Sequence, residues 1–467
     1  MQLKFNQKGV GSGEWGMGEE GDKQCPMRAV DASSLKSGNP PMQLAPLLGE
    51  TPEVRRFANA ALSLLASSLG TRPHCPPHAP CPTPVTRVIL IRHGQSTYNA
   101  EKRYQGSCDD SVLTEKGRSD AYQTGVALKG IELDAIYTSP LQRVQETTVE
   151  ILEGMEVEEQ KRIFTSSHLK EIDIPRWQGL TYKYVQEHFP ADYRCWNERP
   201  HEFQMAEPQP ERQLRTGGVA VGTSVRQCFP VLDLYDRADQ FWQEILPHHV
   251  GKTILIVSHS GTIRALISTA IAMKCEQYHV LQQSNCGINI LNFPTPSKQQ
   301  GQLEAMNITT HLSEITPKLK NGKQGLRLLV VPATGTAPHL INQLAERLQT
   351  VPIDFSLSSD LHTSQQNAEQ LLKYHPTTVQ LQVLRQDFPA IWQQKLLSQR
   401  AVVPSNDINL TCPTTGLVVA CPSIIKNMLA HVLNTSPQYL QLIPDTLSVV
   451  YYPLKSPFPV LQAMNIT

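Results

Sequence analysis

The chain has no excess of either charge. Lys+Arg and Asp+Glu both number 42, for a formal net charge of zero. A protein that tracks a nucleic-acid backbone needs a cationic surplus to displace condensed counterions, so no nucleic-acid partner is expected. No uninterrupted apolar run is long enough to cross a bilayer, so no membrane partner is expected either. The ten cysteines follow no regular framework. Disulfide scaffolds belong to much smaller secreted domains, so reduced thiols and a cytoplasmic location are expected. Asn-x-Thr triplets at Asn307, Asn409 and Asn465 would matter only in a secretory compartment and are read as chance. An apolar fraction of 40% is ordinary for a globular protein. At 467 residues the chain is long for one core, so two domains and a tail are predicted.

Residues 1–84 lack any sustained period. They read as a disordered tail or an over-long gene start, with Met42 as an internal candidate. Prolines at 73, 76, 77 and 80 forbid a helix or central strand there. His74, Cys75, His78 and Cys81 are of zinc-ligand type, but they lack a supporting fold, and no metal is expected. Arg55-Arg56 followed by Phe57 to Leu69 resembles a signal or transit segment that lies too far from Met1 to act as one.

From Val85 the pattern alternates between strand and helix. Strands are predicted at Thr86 to Ile91, Ala135 to Tyr137 and Thr253 to Val257. Helices are predicted from Thr114, as N-cap, to Leu128, and from Thr262 to Ala272. A third opens at Ser139, with Pro140 at its first position and Gln142 completing a capping box, and stops at Gly154. The expected fold class is α/β, a three-layer sandwich with a mostly parallel sheet.

The pattern then repeats. Leu303-Glu304-Ala305-Met306-Asn307-Ile308-Thr309 recurs as Leu461-Gln462-Ala463-Met464-Asn465-Ile466-Thr467. Leu328 to Val331 matches Val88 to Ile91, Ile353 to Leu361 matches Leu133 to Leu141, and Leu417 to Ala420 matches Ile254 to Val257. An internal duplication accounts for this, with domains at 85–312 and 323–467. In the second copy Pro332 and Ala333 stand for Arg92 and His93, Thr363 for Arg143 and Pro422 for His259. That copy is expected to be non-catalytic. Its predicted role is to cover the site, to regulate it, or to build a homodimer contact.

Four segments carry the chemistry: Arg92-His93-Gly94, Ser139 to Arg143, Leu169 to Ile172, and Ser258 to Gly261. Phosphate-ester cleavage needs an in-line nucleophile, cations on the equatorial oxygens and a proton for the leaving alkoxide. His93 suits the nucleophile, since neutral imidazole attacks phosphorus near pH 7. Arg92 and Arg143 offer forked donors, and His259, if protonated, adds a third cation. Asn99 can donate an amide hydrogen. Glu171, kept partly protonated by burial, would give the leaving group its proton and then take one from water. No metal and no cofactor is required.

In order and spacing these segments resemble the histidine phosphatase superfamily, also called phosphoglycerate mutase-like. Arg92-His93-Gly94-Gln95-Ser96-Thr97-Tyr98-Asn99 resembles its signature, and Gln105-Gly106, Asp110 and Leu113 to Gly117 its continuation. Leu169-x-Glu171-Ile172 with Trp177-Gln178-Gly179 resembles its acid motif; Pro175-Arg176 is a departure, because many members have a glycine nearby. The resemblance implies that His93 becomes the phosphohistidine, that Arg92, Arg143 and His259 complete the phosphate pocket, and that Glu171 is the proton donor. It also places Asn99, Gln105, Gly106 and Ser260 at the substrate. The basic, proline-rich stretch of the glycolytic mutases is missing. Tyr193 to Met205 stands in that region, as a lid or an ordinary surface helix, and Arg194, Arg199 or His201 could meet a second anionic group. A phosphatase is therefore expected ahead of a mutase or a non-catalytic binding module. The tandem layout and Arg199 to Phe203 resemble the 2-carboxy-D-arabinitol-1-phosphatase type. The substrate of that type is a phosphorylated sugar acid, with other phosphorylated sugars or glycerate left open, so a small phosphorylated metabolite is the expected partner.

Overall fold

A computed structural model describes residues 84–157, 163–207, 226–295, 301–319, 324–384, 387–388, 413–454 and 456–467. The expectations for Arg55 to Leu69, for Met42, for the His74, Cys75, His78 and Cys81 group and for Asn409 fall outside the described residues. The strands are β1 (Thr86–Arg92), β2 (Ala135–Thr138), β3 (Ile163–Thr165), β4 (Met205–Glu207), β5 (Arg226–Cys228), β6 (Thr253–Ser258), β7 (Ile288–Phe293) and β8 (Gln302–Ile308). They continue with β9 (Gly325–Pro332), β10 (Phe355–Ser359), β11 (Val379–Val383), β12 (Thr414–Ala420), β13 (Leu447–Pro453) and β14 (Val460–Ile466). The helices that position the site and its counterpart are α1 (Glu115–Ala127), α2 (Gln142–Gly154), α3 (Tyr182–His188), α4 (Pro190–Glu198), α5 (Pro230–Ile245) and α6 (Ser260–Ala270), then α7 (Pro338–Leu348), α8 (His362–Leu371) and α9 (Pro422–Leu433).

β1 is buried along almost its whole length because both of its faces are covered. Val88 and Leu90 face one side with Val231, Leu234 and Ile263, on α5 and α6. Ile89 and Ile91 face the other with Ala121, Val144 and Ile151, on α1 and α2. Three layers result, and the sheet is mixed. Its parallel pairings (β1–β6, β2–β6, β2–β3, β9–β12, β10–β12, β10–β11) outnumber its antiparallel ones. The antiparallel strands gather in the middle.

The strand order is β11-β10-β12-β9-β13-β14-β8-β7-β1-β6-β2-β3. Read inward from either end it is the same, with β8 and β14 meeting at a central seam. There Met306 lies opposite Met464, its own counterpart in the repeated motif. The seam's hydrogen bonds are reciprocal: Asn307 Nδ2 donates to Gln462 O at 2.7 Å, and Asn465 Nδ2 to Glu304 O at 2.6 Å. Residues facing their equivalents with exchanged bonds are the geometry of a two-fold relation.

Three sequence readings need correction. Helix α2 starts at Gln142, not Ser139, and its first residues lack a side-chain cap of their own. The Ser139 hydroxyl is within 2.9 Å of His259 Nε2, and Asp109 Oδ1 accepts from Gln142 N at 2.8 Å instead. Helix α6 starts at Ser260 rather than Thr262 and stops before Ala272, whose φ is 56°. The β6–β12 correspondence shifts by one residue. His93 N donates to Ser258 O and Ala333 N to Ala420 O, so His259 corresponds to Cys421 rather than Pro422. Runs of branched aliphatics look alike in either register, and only the pairing with a neighbouring strand fixes the count.

Candidate active site

β1 and β6 run parallel and end together, Arg92 beside Ser258. The chain leaves both ends on the same edge, which is where open α/β sheets bind ligands. His93 follows β1 and His259 follows β6 as the N-cap of α6. Their rings meet edge to face, with centroids 5.2 Å apart. Arg143 is the second residue of α2, completely buried, and is held by Cys108 O at 2.8 Å and Gly106 O at 3.0 Å. Gly106 has a φ of 58°, so the loop turns its carbonyl toward Arg143 in a left-handed conformation that glycine tolerates. Arg92 Nη1 donates to Gln283 O at 3.0 Å.

His93 Nδ1 lies 2.8 Å from Gly94 O. A carbonyl only accepts, so the ring proton sits on Nδ1 and the Nε2 lone pair is free. Burial first, then Arg92 and Arg143, push the His93 pKa well below its ordinary value. Burial, Arg143 and His93 do the same to His259. These surroundings favour neutral imidazole at His259 and oppose the protonation on which its role as a third cation depends. The Ser139 hydroxyl, which accepts from Leu141 N at 3.4 Å, also pairs with His259 Nε2 at 2.9 Å. His259 Nδ1 has no partner, like the Nε of Arg92 and of Arg143. Unpaired buried polar atoms are costly, and these three belong to residues expected to surround a phosphate. Burial also lowers both guanidinium pKa values, with Glu171 acting against it.

Glu171 lies in the loop after Leu169. Its Oε1 accepts from Ile172 N at 2.9 Å and its Oε2 from Gly261 N at 3.1 Å. Arg237, on α5, donates to Lys170 O at 2.9 Å and Glu171 O at 3.1 Å, which pins that loop. Nothing in the sequence marked Arg237, since its partners are backbone atoms 66 and 67 positions away.

A cleft of about 720 Å³ opens on this cluster, a volume suited to a small metabolite. Arg92, Asn99, Gln105, Gly106, Glu171 and Ser260 line it. His93, Arg143 and His259 are not in its wall and are at most 2% exposed. Asn99 Oδ1 accepts from Asn285 Nδ2 at 3.0 Å, and Gln105 Oε1 from the Ser96 hydroxyl at 3.0 Å. The Tyr193 to Met205 segment reaches the cleft through Tyr193, Trp196 and Asn197. Arg194, Arg199 and His201 are not part of the lining, and Arg199 pairs with Glu202 at 2.9 Å. Unanticipated lining residues include Tyr182, Arg264, Tyr278 and, from the second half, Val460. A detectable signal existed for Arg264: it is a lone charge in the apolar stretch Ile263 to Ile267. Cys108 and Cys195 are partly buried, and burial raises both thiol pKa values, which disfavours the reactive thiolate.

The family model described as histidine phosphatase superfamily (branch 1) matches residues 88–309. The chain is 32% identical over 290 residues to a 2-carboxy-D-arabinitol-1-phosphatase of Triticum aestivum, covering 61% of this chain and 53% of that protein. It is 33% identical over 301 residues to a probable 2-carboxy-D-arabinitol-1-phosphatase of Arabidopsis thaliana, covering 63% and 56%. The chain thus spans about half the length of these two relatives. It is also 32% identical over 208 residues to a 2,3-bisphosphoglycerate-dependent phosphoglycerate mutase of Bartonella bacilliformis, covering 44% of this chain and 90% of the mutase.

Proposed function

The chain belongs to the histidine phosphatase superfamily, and on that premise we propose that it hydrolyses monoesters of small phosphorylated metabolites through a phosphohistidine at His93. The observation that carries this reading is the His93 ring. It is neutral, tautomerically fixed by Gly94 O, and set among Arg92, Arg143 and His259. Nε2 attacks phosphorus as the bond to the leaving oxygen breaks. Arg92 and Arg143 hold the equatorial oxygens, and His259 completes the phosphate pocket. Glu171 transfers a proton to the leaving oxygen. In the second step it takes one from the water that attacks the phosphohistidine, which restores imidazole and releases phosphate. Asn99, Gln105, Gly106 and Ser260 surround the rest of the substrate. A phosphorylated sugar or sugar acid fits the names of the relatives, 2-carboxy-D-arabinitol 1-phosphate among them.

The second half is proposed to be an inactive duplicate, since Pro332, Ala333, Thr363 and Cys421 stand at the positions of Arg92, His93, Arg143 and His259 and provide neither imidazole nor cation. Its β14 supports the site instead. Leu461 exchanges hydrogen bonds with Val280 O at 2.7 Å and Gln282 N at 2.9 Å, in the segment that leads to Gln283 and Asn285.

The test is hydrolysis of p-nitrophenyl phosphate with a chelator present, alongside the His93→Ala variant. Turnover should be insensitive to chelator and fall at least about 10³-fold in the variant. Labelled phosphate should be recovered on His93 after a quench that avoids acid. Label on another residue, or a metal requirement, overturns the reading. Primer-dependent conversion between the two monophosphoglycerates, faster than their hydrolysis, would make the protein a mutase.

A further inference from the structure

We propose that Arg264 forms a carboxylate-binding subsite, so that the substrate is a phosphorylated acid rather than a neutral phosphate ester; this rests on the His93 reading above and extends it. Arg264 lies on α6, one turn after His259, between the fully buried Ile263 and Ala265, and its side chain lines the cleft together with Arg92. Its Nε donates to Leu281 O at 2.7 Å, and its guanidinium lies 5.4 Å from the centroid of the Tyr278 ring. Anchored at one edge and against one face, it is a preorganised donor fork of the kind that matches a planar carboxylate.

The other cations of the cleft differ. Arg103 is paired with Glu101 at 2.6 Å, Lys116 with Asp120 at 2.7 Å and Lys318 with Glu314 at 2.6 Å. Among the described residues no carboxylate pairs with Arg264, nor with Lys102. Lys102 is an exposed flexible chain, whereas Arg264 is half-buried and held. Arg264 also lies close enough to Arg92 for both to bear on the Tyr182 hydroxyl: burial raises its pKa, and the two guanidinium groups act against that rise. Phosphate at Arg92 and carboxylate at Arg264 would thus occupy opposite parts of one small ligand. The anchor is shared between the two halves of the protein, because Leu281 is bridged to Leu461 of β14. The second half therefore takes part in substrate choice by fixing the carbonyl that fixes Arg264.

The test compares 3-phosphoglycerate with glycerol 3-phosphate, which differ in carrying a carboxylate or a hydroxymethyl group at the same place. The wild-type protein should prefer the acid by more than about tenfold in kcat/KM, since only the acid brings a charge-assisted pair to Arg264. In Arg264→Gln the preference should collapse to about one, chiefly through KM; in Arg264→Lys it should recover in part. In the His93→Ala background, the extra thermal stabilisation by 3-phosphoglycerate over glycerol 3-phosphate should vanish with Arg264→Gln, a readout independent of chemistry. A preference that survives Arg264→Gln, or is absent from the wild type, overturns the subsite and leaves the His93 reading standing. Loss of His93-dependent turnover on every ester would instead strike that reading.

Discussion

At the level of single residues the site is governed by which atom holds which proton. The nucleophilic role proposed for His93 requires the tautomer that puts hydrogen on Nδ1, and Gly94 O favours it. That carbonyl is itself positioned by Asn285, whose Nδ2 donates to His93 O at 2.9 Å, Gly94 O at 3.0 Å and Asn99 Oδ1 at 3.0 Å. Asn285→Ala removes all three ties. We expect kcat to fall about 10- to 100-fold, with a stability loss of about 1–2 kcal/mol by urea unfolding, because carbonyls lose donors without a replacement. An unchanged kcat would show that the tautomer is secured without Asn285.

At the level of secondary-structure elements, the beginning of α6 performs two tasks. It starts the helix, and it presents Gly261 N to Glu171 Oε2. A Cβ on Gly261 would lie 2.4 Å from both Glu171 Oε1 and the Tyr278 hydroxyl. Those are ends of side chains, so Gly261→Ala should fold, with alanine's helix preference offsetting part of the crowding. Glu171 must move, however. Turnover of alkyl phosphates, whose leaving oxygen needs a proton, should drop at least about tenfold, while p-nitrophenyl phosphate, with an acidic leaving group, should be affected far less. Equal losses on both would argue that Glu171 is not the proton donor. The same scale shows where local rules held. Thr114 caps α1 by accepting from Gly117 N at 3.1 Å, as its spacing predicts. Ser139 does not cap α2, because tertiary partners claim its hydroxyl.

Across the whole molecule, one core runs along one face of the sheet through both halves, and the other face carries two separate cores. This continuity ties the seam to the cleft. It also buries His93 and His259 and takes the half-buried His279 and His311 largely out of water. Burial is the leading cause of the lowered pKa of His93, His259, His279 and His311, reaching about 3 for His279 and about 4 for His311. In an unfolded chain histidine titrates near 6.5. With the folded pKa below the unfolded one, the unfolded chain binds more protons between the two values, so stability falls as the pH drops below about 6.5. For His311 that window runs from about 6.5 to about 4. Each such histidine contributes up to about 1.4 kcal/mol per pH unit. Urea midpoints should be level above pH 7.5 and decline steadily from 6.5 to 5, less steeply in His311→Gln. A flat profile contradicts the neutral burial of these rings.

Three strands and three helices of the first half, the strand ends that carry Arg92-His93 and His259, and the repeated motif of β8 and β14 were legible from residue order. Each is a local pattern: an apolar period, a cap, a short motif. Residue order could not show that neutral imidazole is favoured at His259, which depends on the burial and cations that folding brings around it. Nor could it count the β6–β12 correspondence, single out Arg237 and Asn285, or turn Arg264 toward the cleft. Those features come from contacts between distant segments, and the energy of a buried charge or an unpaired donor exists only once the surrounding atoms have excluded water.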